Sequence, residues 1–372
     1  MKIIINTSVN VVGGGFQISL SLIQECQNIN RHEFYIFLNE NLASIIHKND
    51  YSSNFHFYII PRLKFYQYHK YLSNIEKSIN PDIVFSVFGP SYWRPKTKHI
   101  MGFAMGHYIY PDSPYWNIIS LKEKIYWYFK KKIHLFYFKR DADGFIVETN
   151  DVAKRLKILL NKKCFVVSNT YNQYFSLYNK GISEYRILPC KNNNEYRLLS
   201  VCTPYSHKNI QIIPKVIECL SSKGINTVTF ILTINEFEYN KIIPKKYQNK
   251  VISIGKISPN KLPQLYSECD FVFVPSLLEC FTANFPEAMI MGKPILASDL
   301  GFSHSICNES ALYFDPLNPK DITNKIEFLI KNKSIQNELI SNGYKQLSEF
   351  KTAKERAILY IEILEKVMGN KQ

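Results

Sequence analysis

Glu279 and Glu287 are the two side chains whose type and spacing most readily suggest chemistry. Residues 280–286 separate them, ending in Phe285 and Pro286, and an apolar run from Asp270 to Val274 lies just upstream. A run of that length between polar stretches reads as a buried strand. Pro286 suits the first turn of a helix, where its missing N–H costs nothing. The expected order is therefore a strand, a loop bearing Glu279, and a helix opening at about Glu287. Free N–H groups at a helix start favour a phosphate, while a carboxylate accepts hydrogen bonds from hydroxyls. A sugar joined to a diphosphate would satisfy both. The same spacing also fits a capping or solvated Glu279, with Glu287 simply complementing the helix dipole.

Other candidates lie at comparable stations. Lys208 follows an apolar run at 196–202 and Thr203, Pro204 and His207. After a first strand, such a lysine can meet a diphosphate as a point charge, although most single lysines are only solvated. In the first half, Gly13, Gly14 and Gly15 stand between a strand at 2–6 and helical residues 19–26, where a substrate could approach the backbone closely. The run is neither G-x-G-x-x-G nor a Walker loop, and a tight connection explains it equally well. His107 falls just past a strand at 99–104. It could hydrogen-bond a hydroxyl or shuttle a proton, or be a plain polar residue.

The elements that must carry these groups alternate. Strands are expected at 2–6, 33–38, 55–60, 82–88, 99–104, 144–148 and 163–168, then at 196–202, 227–232, 251–254, 271–274, 294–297 and 311–314. Helical or irregular stretches fall between them. This is the pattern of parallel sheets covered on both faces, whose ligands sit beyond the strand carboxyl ends. The chain has 372 residues, enough for two domains. They are expected at 1–180 and 181–349, with a last helical segment at 350–372.

Composition narrows the function classes. The chain is 46% hydrophobic and 21% charged, a globular rather than a disordered balance. A net charge of +15 predicts attraction to polyanions or phosphorylated substrates. Eight cysteines without a C-x-x-C pair argue against a zinc site or disulfide framework. No run is long and apolar enough for a signal peptide or a bilayer span, so a cytoplasmic protein is expected.

The segment bounded by Ser120 and Arg140 mixes Lys122, Lys124, Lys130, Lys131, Lys132 and Lys139 with Tyr126, Trp127, Phe129 and Phe136, against one acid, Glu123. As a helix it could lie on an anionic membrane surface. A core helix with a solvated basic face is the other reading.

Taken together, Glu279, Phe281 and Glu287, followed by Ala288, Met289, Gly292, Pro294, Ala297, Ser298 and Asp299, resemble the signature of the retaining glycosyltransferases of family 4. The resemblance implies an α/β GT-B fold, two Rossmann-like doubly wound domains facing across a cleft, with the last helix bracing the first domain. It implies a metal-independent transfer of a hexose, with retention, from a nucleotide-sugar donor to a saccharide hydroxyl. The acceptor would be lipid-linked, in O-antigen or capsule synthesis on the inner face of the plasma membrane. The co-substrate is the nucleotide diphosphate sugar, and neither cofactor nor nucleic acid is expected.

The same resemblance assigns roles. Lys208 and the helix start at Thr282, Ala283 and Asn284 would hold the leaving diphosphate. Glu287 would hold the ribose, Glu279 and Phe281 would line the sugar side, and Lys256 would lie by the base. His107 would contact the sugar from the other domain, and Gly14 and Gly15 would line the cleft. Thr203 and Pro204 stand where Gly-Arg is common, so either His207 or a residue from elsewhere replaces the arginine or stabilisation of the leaving group is weaker. Cys280 and Thr282 replace two glycines, crowding a loop whose N–H groups should face the donor. A catalytically silent GT-B-like scaffold and a basic RNA-binding protein are the alternatives.

Overall fold

Thirteen short apolar runs become strands among the described residues, which are 1–178 and 186–369 of this computed structural model. In the first half they are β1 (Lys2–Asn6), β2 (Glu33–Leu38), β3 (Phe55–Ile59), β4 (Ile83–Ser86), β5 (Lys98–Gly102), β6 (Gly144–Val147) and β7 (Lys163–Val166). They form a seven-stranded sheet in the order β3-β2-β1-β4-β5-β6-β7, parallel throughout. Strands covered on both faces carry near-continuous apolar residues. Accordingly Ile3, Ile4 and Ile5 of β1 are all buried, with Ile4 paired between Tyr35 and Val84.

The second half repeats the plan with β8 (Tyr196–Ser200), β9 (Val228–Leu232), β10 (Val251–Ser253), β11 (Phe271–Val274), β12 (Ile295–Ser298) and β13 (Ala311–Phe314). Its six-stranded parallel sheet runs β10-β9-β8-β11-β12-β13. The fold is thus the GT-B pair of Rossmann-like sheets. Strand order reverses at β1/β4 in one sheet and at β8/β11 in the other, the places where loops at the strand carboxyl ends part to form a crevice.

The helices used below are α1 (Gly13–Cys26), α2 (Phe65–Ile79), α3 (Leu121–Asp141), α4 (Asn284–Ile290) and α5 (Ala353–Gly369). Among the described residues no helix is long and apolar enough to cross a membrane. The chain divides into two compact units, one of Met1–Ile109, Ser120–Asn169 and Lys351–Gln372, the other of Tyr110–Ile119 and Thr170–Phe350. The expected boundary between 180 and 181 lies outside the described residues. The structure also sends residues 110–119 into the second unit, which the reading of the sequence did not anticipate.

The first unit's core joins Ile3, Ile5, Leu22, Ile23 and Phe85 to Ala357, Ile361 and Leu364 of α5, so this late helix completes a core begun by the first strand. In the second unit Leu198, Phe230, Phe271 and Phe273 pack with Ile213, Val216, Ile322 and Ile326. Glycine is required at 102, where a Cβ would lie 1.8 Å from the Val87 carbonyl oxygen.

Candidate functional site

The second unit builds its site at the β8/β11 reversal. Ser200, ending β8, donates its hydroxyl to the Phe273 carbonyl of β11 at 2.6 Å. The loop after β8 then makes two 3-10 turns, Ser206–Lys208 and Ile210–Ile212, parted by Asn209 in the left-handed region with φ 55°. Asn209 donates its side-chain amide to the Pro316 carbonyl at 2.8 Å. The loop after β11 joins this turn through Leu277 N–H, which donates to the His207 carbonyl at 2.7 Å. Lys208 therefore stands at the end of a tight turn. Its ammonium donates to Glu279 Oε1 in an ion pair that is largely buried.

The helix bearing Glu287 opens at Asn284, slightly earlier than expected, with Pro286 in its first turn. Glu287 is buried, and Tyr266 donates its hydroxyl to Glu287 Oε2 at 2.8 Å. Burial pushes the Glu287 carboxyl up to about 7, with the Tyr266 hydrogen bond working against the rise. Asn284 donates its side-chain amide to the Val201 carbonyl at 2.8 Å, tying the helix start to the end of β8. Thr282 is buried and Ala283 caps the helix without a side-chain bond. Phe281 sets its ring edge-on to Phe350 at 6.1 Å. Lys256 is exposed, just after Gly255 with φ +73°.

His207 lies in the same turn as Lys208. Its ring stacks on Tyr205 at 5.6 Å and meets the edge of Tyr115 at 6.3 Å. Burial, with the neighbouring Lys208 charge in second place, pushes it down to about 3. Burial therefore favours the neutral imidazole in the unliganded chain.

The sequence reading missed the segment 110–119. Ser113 donates its hydroxyl to the Leu277 carbonyl at 2.6 Å, and the Tyr115 and Ser206 hydroxyls are 3.3 Å apart. Ser113 and Tyr115 thereby fasten both loops that carry Lys208 and Glu279. No periodicity or motif marks them in the sequence. The proximity of charge to Cys202 was also missed. Burial raises this thiol to about 11, with Lys208 lowering and Glu279 raising it.

The remaining expected residues belong to the first unit. Gly14 and Gly15 lie in the first turn of α1, which begins at Gly13 with φ +69°, so the glycines open the helix rather than forming a loop before it. Nothing stands within 4 Å of a Cβ placed at Gly14. Beneath them, at β1/β4, Asn6 donates to Ser86 Oγ at 3.1 Å, and Ser86 Oγ lies 2.8 Å from His99 Nε2. His99 is buried, which pushes it down to about 4. His107, in the short helix Gly106–Ile109, stacks on Trp127 with ring centroids 3.8 Å apart. Among the described residues no three His, Cys, Asp or Glu side chains gather as metal ligands would.

Residues 186–346 match the family model described as Glycosyl transferases group 1. The O-antigen chain mannosyltransferase RfbU of Salmonella typhimurium is 25% identical over 158 residues, 40% of this chain and 43% of that protein. The chain thus spans less than half the length of this curated relative. In structure, sucrose-phosphate synthase from Thermosynechococcus elongatus superimposes with a TM-score of 0.76 at 14% identity, covering 100% of both chains. Anabaena Alr3699/HepE in complex with UDP-glucose gives 0.72 at 15% identity, covering 98% of this chain and 100% of that one.

Proposed function

We propose that this chain, whose residues 186–346 match the Glycosyl transferases group 1 model, moves a sugar from a nucleotide diphosphate sugar to a hydroxyl of a saccharide acceptor. The observation that carries this reading is the meeting of Lys208 and Glu279 at the β8/β11 reversal, one group suited to phosphate and the other to sugar hydroxyls. Support also comes from the relatives, one named an O-antigen mannosyltransferase and one holding UDP-glucose.

In this reading the bond between the anomeric carbon and the diphosphate oxygen breaks as Lys208 takes up the charge on the leaving group. The acceptor hydroxyl oxygen bonds to the anomeric carbon on the same face, giving retention, and its proton goes to the departing phosphate. Glu279 orients the sugar and Glu287 takes the ribose. No side chain acts as the nucleophile, in contrast to retaining hydrolases with a second carboxylate. The transfer needs no metal in this scheme, since Lys208 supplies the cation. The acceptor is a lipid-linked saccharide of O-antigen or capsule type, met at the cytoplasmic face of the membrane.

The test is turnover of a panel of nucleotide sugars by the purified chain, followed by release of the nucleoside diphosphate and by the anomeric configuration of the product. Thermal stabilisation by one donor of the panel accompanies binding. A silent scaffold is the second reading, favoured by the Lys208–Glu279 pair, in which each group satisfies the other, and by Pro204 at the arginine station. Binding without release of nucleoside diphosphate from any donor, with or without acceptor, decides for the scaffold.

A further inference from the structure

Along α3, Leu121, Ile125, Phe129, Ile133 and Phe136 recur every three or four residues, and all are exposed, Leu121 by 72% and Phe129 by 60%. Side chains at that spacing lie in one stripe along a helix. The opposite side of α3 is anchored. Phe138 is fully buried against Phe103 and Phe145, with ring centroids at 5.1 and 5.8 Å. His134 is hydrogen-bonded to the hydroxyls of Tyr92 and Tyr108 at 3.1 and 2.8 Å. The apolar stripe is therefore held outward by a defined inner face.

Cations flank the stripe. Lys122, Lys124, Lys132 and Lys139 are exposed, while the nearby acids are engaged. Glu123 accepts from Ser120 N–H and hydroxyl at 2.9 and 2.8 Å in the helix cap, and Asp141 is buried beside Arg140.

The surface continues onto α2. Phe65 and Tyr66, at its start, are 52% and 60% exposed, and Phe65 meets Tyr137 of α3 at 6.3 Å and Tyr92 at 6.0 Å. Arg62, Lys64 and Lys70 are exposed around them. Two helices of the same unit thus present aromatic and aliphatic groups ringed by positive charge.

A single-stranded nucleic acid would need open ring faces on which bases stack. Here Lys130 Nζ stands 5.2 and 4.7 Å from the ring centroids of Tyr126 and Trp127, and His107 stacks on Trp127. Leu121, Ile125 and Ile133 offer a base no ring at all. Apolar side chains between lysines suit the boundary of acyl chains and anionic headgroups.

We infer that the outward stripe of α3 and the start of α2, through Phe65 and Tyr66, form one docking surface for an anionic lipid bilayer. This inference stands apart from the sugar chemistry, because neither Phe65 nor the stripe belongs to the donor residues. The full chain is sedimented with vesicles of phosphatidylcholine alone and of equal parts phosphatidylglycerol and phosphatidylcholine. Binding to the anionic vesicles is expected, falling with added salt, and about tenfold or more weaker on neutral ones. Phe129→Ser with Ile133→Ser, and separately Phe65→Ser with Tyr66→Ser, each lower it by about fivefold or more. Lys132→Gln with Lys139→Gln lowers it as well.

Phe237→Ser, at a side chain 75% exposed in the second unit, leaves it unchanged. All the variants replace exposed groups, and wild-type melting midpoints identify them as folded. Equal binding to both vesicle types, no binding, or capture of polyuridylate in place of vesicles overturns the proposal. Loss in the α3 pair with none in the α2 pair overturns the two-helix surface.

Discussion

Lys208 and Glu279, 71 residues apart in sequence, hold each other in a largely buried ion pair between the loops that follow β8 and β11. Each was expected to hold a different part of a donor. In the proposed function, a diphosphate entering this site would compete with Glu279 for the ammonium, coupling binding to charge separation.

Replacing Glu279 with Gln removes that competitor and keeps the shape. Nucleoside diphosphate is expected to bind Glu279→Gln more tightly, while donor turnover falls by about a hundredfold or more. Lys208→Ala is expected to lose both binding and turnover, and it leaves Glu279 unpaired at a cost of about 1–3 kcal/mol in stability. Titration calorimetry and steady-state rates check both. Weaker diphosphate binding in Glu279→Gln would contradict the competition.

Glu287 carries a proton signature. Its carboxyl rises from 4.5 to about 7 in the native protein, so its contribution to stability is present below the lower value and is lost as pH rises through the upper one. Glu287→Gln is therefore expected to raise the melting temperature at about pH 8, by some 2–4 °C for about 1 kcal/mol. If ribose hydroxyls favour the ionised carboxylate, donor binding releases a proton near pH 7 and tightens with rising pH. Binding enthalpies in buffers of different ionisation heat measure that proton, and an unchanged count in Glu287→Gln would refute the assignment.

Buried His99 and half-buried His134 and His207 act in the opposite sense. His99 and His134 fall from 6.5 to about 4, and His207 to about 3, each chiefly through burial. Their contribution is present above 6.5 and is lost as pH falls through the native values, because the unfolded chain takes up protons first. Melting temperature is expected to drop between about pH 6.5 and 4, less steeply in His99→Gln. A pH-independent midpoint across that window would contradict it.

Ile361 of α5 is fully buried in the first unit's core. Ile361→Ala is expected to cost about 2–5 kcal/mol, and the loss should register at Trp93 and Trp127 of that unit before Trp116 of the other. Denaturant melts of variants that each keep one tryptophan would show the order, and an equal shift at all three would argue against it.

The strands were legible because parallel strands buried on both faces leave unbroken apolar runs. Lys2–Asn6, Glu33–Leu38, Phe271–Val274 and Ala311–Phe314 lie where those runs end, and most others differ at their ends by one or two residues. The opening of α1 was not legible. Glycine has poor helix propensity, so Gly13 to Gly15 read as a loop. The Lys208–Glu279 pair was beyond reach because it depends on β11 lying beside β8, a matter of sheet order rather than spacing. Ser113 and Tyr115 were hidden for a similar reason, lying between elements of the first unit while belonging to the second.

The assignment of Ile361 and Leu364 to the core begun by Ile3 and Ile5 bears on how the protein is made. A ribosome builds the first sheet early, yet the helix that covers it emerges only after the whole second sheet. The earlier unit must wait, partly uncovered, while the later one has all its strands in hand. Maturation of the protein in the cell is therefore expected to run against the direction of synthesis, and a chaperone that shields apolar surface would find its longest-lived target in the part translated first.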